Sequence, residues 1–269
     1  MKDKVVVITG GSSGIGKALA EVFGKNGSKI LITGRNKADL DRTVLELASK
    51  GILIHGFRAD VTLPDDNKKM AEEALKQFGR IDVLINNAGI SMRALFEDLD
   101  LSVVKKLMDI NFYGAMYATQ SCLAEIIKNK GSVVGISSIA GFRGLPGRVG
   151  YSASKFALNG FLEVLRTEML HRGVHVLTAC PGFTASNIRN RALTKDGSVQ
   201  GESPREETQM MTAEECARHI YQATLKRKNF LILTTQGKVA VWINKLFPSL
   251  ADKLVYKAMA KEPDSPLKN

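Results

Sequence analysis

The stretch Val5-Val6-Val7-Ile8-Thr9-Gly10-Gly11-Ser12-Ser13-Gly14-Ile15-Gly16 decides the fold. Four β-branched apolar residues in a row describe a strand buried on both faces, as in a parallel sheet. The run stops at Thr9-Gly10, and a helical pattern occupies Lys17–Lys25. Glycines between a buried strand and a helix permit a tight turn and close approach of a ligand's phosphates. The helix N-terminus then offers free N–H groups and the positive end of its dipole to the anion. The spacing departs from G-x-G-x-x-G, so the glycines gain their meaning from their place at the first strand–helix junction.

The same rhythm repeats outward from this stretch. Strands are expected at Lys29–Thr33, Ile52–Arg58, Asp82–Ile85, Ser132–Ile136, Val174–Ala179 and Phe230–Leu233. Helices are expected at Ala38–Ala48, Asp65–Phe78, Leu101–Asn129, Tyr151–Leu170 and after Thr212, where Thr212-Ala213-Glu214-Glu215 has a capping-box pattern. Alternation of this kind predicts one α/β domain, a doubly wound and mostly parallel seven-stranded sheet with helices on both faces. Ligands of such sheets bind beyond the carboxyl ends of the strands. Those ends carry Gly34-Arg35, Ala59-Asp60, Asn86-Asn87-Ala88-Gly89, Ser137-Ser138 and Cys180-Pro181-Gly182.

Composition bounds the partners. A formal net charge of +11 over 269 residues favours an acidic surface, whether a membrane, an acidic carrier protein or nucleic acid. The basic residues form no aromatic-interleaved stripe, so nucleic acid is not expected. Cys122, Cys180 and Cys216 are widely spaced, and the four histidines form no ligand cluster. That argues for a reducing compartment and against a metal site. The apolar run after Met1 is too short for a signal core, and no run reaches the ~18 apolar residues of a membrane span. A cytoplasmic protein is expected, with any membrane contact peripheral.

Tyr151 and Lys155 are four apart on the expected helix and so share a face. A neighbouring ammonium favours the phenolate, bringing a tyrosine nearer to proton transfer at physiological pH. Ser138 is placed to hold the oxygen that receives the proton.

Taken in order, Thr9–Gly16, Asp60, Asn86–Gly89, Asn111, Ser138, the Tyr151/Lys155 pair and Pro181-Gly182 resemble the short-chain dehydrogenase/reductase family, over Lys4 to about Leu233. The resemblance implies a Rossmann-type domain that moves a hydride between NADP(H) and a carbonyl or alcohol. It makes Tyr151 the proton donor. Lys155 lowers the tyrosine's pKa and binds the nicotinamide ribose, and Ser138 holds the substrate oxygen. Asn111 supports a water serving Lys155, or else merely ties neighbouring strands. Cofactor positions carried over are Gly10, Ser12, Ser13, Gly14, Ile15 and Gly16 for the phosphates. Asp60, Val61, Asn87, Ala88 and Gly89 serve the adenosine side; Pro181, Gly182, Thr184 and Ser186 serve the nicotinamide. Ser186 stands where the family usually has Thr, and it keeps the hydroxyl. Gly34 followed by Arg35 suits a 2′-phosphate, with Asn36 assisting, because no carboxylate stands there to repel it.

Ser91, Met92, Phe142 and Leu145 are expected to line the substrate pocket. The region 185–211, with Met210 and Met211, is expected to form a lid over a hydrophobic substrate. Beyond residue 238 lies a helical extension. Ala251, Leu254, Val255, Ala258 and Met259 share one arc there, with Lys253, Lys257 and Lys261 placed opposite. It resembles the tail of the hydroxysteroid dehydrogenase-like branch. Membrane contact and packing on the domain or a partner subunit both stay open. A homodimer or homotetramer is expected. The leading reading is an NADPH-dependent reductase of a lipid- or steroid-like ketone. The alternatives are a 3-oxoacyl carrier-protein reductase and a non-catalytic cofactor-binding regulator.

Overall fold

The computed structural model describes residues 1–184, 188–201, 210–263 and 265–268. Seven strands, β1 (Val5–Ile8), β2 (Lys29–Gly34), β3 (Ile54–Arg58), β4 (Val83–Asn86), β5 (Ser132–Ile136), β6 (His175–Cys180) and β7 (Phe230–Ile232), form one sheet in the order β3-β2-β1-β4-β5-β6-β7. Every pairing is parallel. The strand order therefore reverses between β1 and β4, and a crevice opens at their carboxyl ends.

Strand pleating splits the core in two. Val6 and Ile8 of β1 face a layer containing Phe23 and Leu19 of α1 (Gly14–Lys25), Leu40 and Leu47 of α2 (Lys37–Ala48), and Ile220 and Tyr221 from near the chain's end. Val7, between them, faces the other layer with Met70 of α3 (Pro64–Phe78), Ile126, Leu158 and Leu162. Phe23 is fully buried and meets Tyr221 edge to face, ring centroids 5.0 Å apart. At the end of the sheet away from the crevice, the buried Asp82 carboxylate accepts from Val5 N, Lys4 Nζ (both 3.0 Å) and the Arg80 guanidinium. Burial works to raise its pKa, but Arg80, the Val5 N–H and Lys4 outweigh that and hold it below the usual carboxylate range.

The long helix departs from its expected course in one place. It runs as α4 (Leu101–Met108) and α5 (Gly114–Lys128), joined through a π-helical turn at Asp109–Tyr113 that contains Asn111. Extra-wide turns of this kind recur at functional sites. After α6 (Val149–Glu168) comes α7 (Ala213–Leu225), capped as expected by Thr212 Oγ accepting from Glu215 N at 3.1 Å. The chain closes with α8 (Thr235–Leu246) and α9 (Pro248–Ala260).

Candidate active site

The glycine turn is shaped for something to lie on it. Gly10 and Gly14 have φ of 64° and 51°, in the left-handed region that disfavours side chains. A Cβ on Gly16 would come 2.3 Å from Gly10 O, so α1 starts as close to the turn as a backbone allows. Ser13, the N-cap of α1, makes no side-chain cap bond, and the first turn holds no acidic residue. The helix end therefore presents N–H groups and an uncommitted hydroxyl to an anion. The turn is held from β4: Asn87 Nδ2 donates to Thr9 O and Gly10 O, both at 3.0 Å. Thr9 Oγ in turn accepts from Asn87 N and Ala88 N at 3.1 Å. Thr9 is a positioning residue, a role that reading Thr9–Gly16 as a motif does not assign to it.

A single crevice of about 1580 Å³ runs from this turn across the strand ends. Gly10, Ser12, Ser13, Gly14, Ile15 and Gly16 line its middle; Arg35, Asp60 and Val61, after β2 and β3, line one side, and Asn87, Ala88 and Gly89 follow β4 across the turn from them. Ser138, Leu145, Tyr151, Lys155, Pro181, Gly182 and Thr184 line the other. Ser186 lies outside the described residues. The expected lid is described only at residues 188–201 and at Met210 and Met211, both of which line the crevice. The volume exceeds that of ordinary small-ligand pockets. With a glycine cradle, a bare helix N-terminus and a lysine–tyrosine pair at its far end, it suits a dinucleotide together with a substrate.

Asp60 is engaged locally, its Oδ1 accepting from Thr62 N and Oγ1. Ser91 lines the crevice, whereas Met92 is buried beneath it, receiving Gly150 N on its sulfur at 3.3 Å. Phe142 lies elsewhere: its ring packs on Phe230 at 6.1 Å, and its carbonyl accepts from Asn244 of α8. Asn36 accepts from Asp39 N and so caps α2. Asn111, buried at the π turn, grips Ile90 from both sides, accepting from its N–H (2.8 Å) and donating to its carbonyl (2.9 Å), and also donates to Ser154 Oγ.

The reacting end differs electrostatically from expectation. Lys155 is buried and donates from Nζ to Ile136 O at 2.8 Å, with Nζ 5.7 Å from the centroid of the Tyr151 ring. Burial pulls its pKa down to about 8. Burial of the Tyr151 hydroxyl raises that group's pKa, though part of the ring stays open to the crevice; the Ser138 hydroxyl, Arg148 and Arg189 pull the other way. The ammonium thus lies over the ring face rather than against the hydroxyl, and the opposing pull on the phenol comes from Ser138 and two arginines. Cys180 is buried and its thiol is pushed up to about 12 by desolvation, as suits a small packing residue.

The sequence reading did not place the chain's end in the site. Thr234, Gln236 and Ala240 from the start of α8, and Leu254, Val255, Ala258 and Met259 from α9, wall the crevice. Lys257 and Lys261 line it too, rather than pointing away from the apolar arc. Glu262, just past α9, has a side chain only 4% exposed, with Arg148 Nη2 at 3.2 Å and Arg93 Nη2 at 3.8 Å from its Oε2. Arg148 is the N-cap of α6, three residues before Tyr151, so the tail is tied to the helix that carries the reacting groups.

The sheet, the cradle and the tyrosine–lysine–serine cluster define a nucleotide-binding Rossmann-fold oxidoreductase. The model of the short chain dehydrogenase family matches residues 4–197, and the chain belongs to that family. It is 36% identical to dehydrogenase/reductase SDR family member 7B of Mus musculus, over 98% of this chain and 84% of that protein. It is 32% identical to dehydrogenase/reductase SDR family protein 7-like of Dictyostelium discoideum, over 95% and 82%. Among solved structures it superposes with a short chain dehydrogenase/reductase from Burkholderia phymatum in complex with NAD (TM-score 0.84, 23% identity, 93% of this chain and 95% of that one). It also superposes with an alcohol dehydrogenase from Thermococcus sibiricus complexed with 5-hydroxy-NADP (TM-score 0.75, 22% identity, 86% and 95%).

Proposed function

We propose that the protein is an NADP(H)-dependent oxidoreductase that reduces the carbonyl of a hydrophobic, lipid- or steroid-like substrate, or oxidises the matching alcohol. The observation that carries this is one crevice holding the glycine cradle, the Ser138/Tyr151/Lys155 cluster and the apolar wall of α8 and α9. The nicotinamide cofactor, when bound, supplies or accepts the hydride. Ser138 holds the substrate oxygen, and Tyr151 gives it a proton as negative charge develops there. Lys155 holds the ribose, and Asn111 fixes the backbone at Ile90 beside it. The test is NADPH oxidation by purified protein over ketones graded in size and polarity, free and carrier-linked. Turnover rising with the apolar size of free ketones is expected. Turnover of carrier-linked 3-oxoacyl chains alone would favour the carrier-protein reductase, and tight NADPH binding without turnover of anything would favour the regulator.

A peripheral membrane site belongs to the same proposal. No described helix is long and apolar enough to cross a membrane. On α8 the exposed residues Lys238, Val239, Trp242, Lys245 and Leu246 recur at helical spacing, and Trp242 meets the exposed Phe247 ring at 6.2 Å. Leu250, Lys253 and Leu254 continue an exposed surface along α9 towards the crevice. Apolar side chains among lysines suit an anionic bilayer surface. Full-length protein should co-sediment with anionic vesicles at low salt and be released by high salt, and Trp242→Ala/Phe247→Ala should weaken the binding. Indifference to such vesicles at low salt would leave these residues to packing or self-association. Assembly as a homodimer or homotetramer is also proposed, supported by the large side chains Leu101, Phe156 and Val164 exposed on α4 and α6.

A further inference from the structure

We infer that Glu262 is a specificity-determining positioning residue: with Arg93 and Arg148 it staples the end of α9 over the substrate part of the crevice. The inference rests on the reductase reading and says what fixes the substrate wall of that same site.

The first observation is how little apolar packing holds α9. Among its described residues only Ala251 and Met259 are buried, and α8 before it buries only Gly237. Burial on that scale gives a helix little stability of its own, and weakly packed elements open first. Yet Leu254, Val255, Ala258 and Met259 wall the crevice, so the seat of α9 sets the room left for a substrate.

The second observation is where the polar ties fall. Near the start of α9, Arg143 donates from Nη2 to Asp252 Oδ1 (2.5 Å) and from Nη1 to Asn244 Oδ1 (2.9 Å). Asn244 Nδ2 in turn donates to Phe142 O at 2.9 Å. Past the other end, Glu262 Oε2 accepts from Arg148 Nη2 at 3.2 Å. Arg93 Nη2 stands 3.8 Å from the same oxygen and donates to Pro263 O. Pro266 closes on this corner too, since a Cβ on Gly147 would come 3.3 Å from its Cγ. These anchors, Arg93 apart, lie between residues 142 and 148, on the segment that joins Ser138 to Tyr151. The tail is thus fastened to the stretch that carries Leu145 of the crevice wall.

The third observation is the burial of the staple. The Glu262 side chain is 4% exposed, and those of Arg148 and Arg93 are 12% and 9% exposed. Taking such charges out of water costs about what their attraction returns, so the cluster fixes an arrangement more than it adds stability. The Arg143–Asp252 pair at the other end is weaker, because the Asp252 side chain is 67% exposed. The tie that decides where α9 sits is therefore the one at Glu262.

The experiment compares cyclohexanone with 2-dodecanone on the NADPH-loaded protein, in wild type and in Glu262→Gln, which keeps the side chain's shape and removes its charge. The preference for 2-dodecanone, as a ratio of kcat/KM values, should fall at least about tenfold, carried by the KM of the long ketone. That is the effect of about two methylenes losing their apolar contact. Amide exchange should quicken across residues 249–262 but not in β1, β4 or β5, and NADPH affinity should stay near wild type. A residue that merely stabilised the fold would lower the melting temperature and reduce turnover of both ketones alike. Such a shared loss, or an unchanged preference, overturns the inference. If Glu262→Gln does not fold, Asn244→Ala, which loosens the other end of α9, decides. Its preference must shift the same way, and no shift overturns the inference. A second arm needs no turnover: decanol and cyclohexanol are titrated into the NADP⁺-loaded protein. The same variants should weaken decanol binding more than cyclohexanol binding, and equal weakening or none overturns the inference. Failure of the reductase reading looks different, since the wild type would then turn over neither ketone while the alcohol arm still judges the staple.

Discussion

Tyr151→Phe is expected to lower turnover by about 10²–10⁴-fold, the usual worth of a positioned general acid, while NADPH affinity stays near wild type. The substitution keeps the ring, and with it the surface beneath the Lys155 ammonium. It removes only the hydroxyl that Ser138, Arg148 and Arg189 act upon. Lys155→Met should behave differently. Its Nζ donates to Ile136 O at the end of β5, and a Cβ at Gly89 would stand 3.6 Å from it, so it occupies the corner between two strand ends. Losing it should weaken NADPH binding as well as turnover. The pH profile gives a further reading. With its pKa lowered to about 8, Lys155 is cationic below that value and neutral above it. The kcat/KM for carbonyl reduction should therefore decline as pH rises past about 8, where the positive charge favouring the developing alkoxide is lost. Near-normal turnover in Tyr151→Phe, measured by single-turnover NADPH oxidation on an accepted ketone, would remove this tyrosine from the mechanism.

How much of this was legible in the sequence depends on how local the cause is. The inner strands were readable because parallel strands buried on both faces are near-continuous apolar runs, while the edge strands β3 and β7 are only partly buried; the expected ends of all differ from the observed ones by at most two residues. The glycine turn was readable because positive φ and close approach demand glycine at Gly10, Gly14 and Gly16. The π turn at Asp109–Tyr113 was not, since hydrophobic periodicity over Leu101–Asn129 does not register one widened turn. The relation of Lys155 to Tyr151 was half readable. Spacing puts the two on one face, but burial and the Ile136 carbonyl decide where the ammonium points. The tail was the least legible part. That α9 walls the crevice, and that Glu262 reaches Arg148 across 114 positions, are tertiary facts without a local pattern.

Cofactor choice is where the sequence argument is sharpest and the fold says least, since one structural neighbour holds NAD and the other 5-hydroxy-NADP. NAD-binding sites of this architecture place an acid at the end of the second strand to accept hydrogen bonds from the ribose 2′-hydroxyl. Here Gly34 ends β2, and a Cβ on it would already come 3.2 Å from Ser12 Oγ, so the hydroxyl fills the room a larger side chain would need. Arg35 follows, exposed and lining the crevice, and its carbonyl accepts from Arg58 Nε at 3.2 Å, which steadies the loop. Asp39 also lines this end, but it is paired with Arg42, which offsets its repulsion of a phosphate. A charged hydrogen bond is worth about 1.5–3 kcal/mol, so Arg35→Ala should weaken NADPH binding by roughly 10–100-fold. NADH, which has no 2′-phosphate, should be nearly unaffected. Because Arg35 is exposed, the difference should shrink as salt rises. Dissociation constants for both cofactors, in wild type and variant at two ionic strengths, make the comparison. Equal wild-type affinity for NADPH and NADH, or an Arg35→Ala loss shared by both cofactors, would show that the guanidinium does not read the phosphate and would return the choice to the hydroxyls of Ser12 and Ser13.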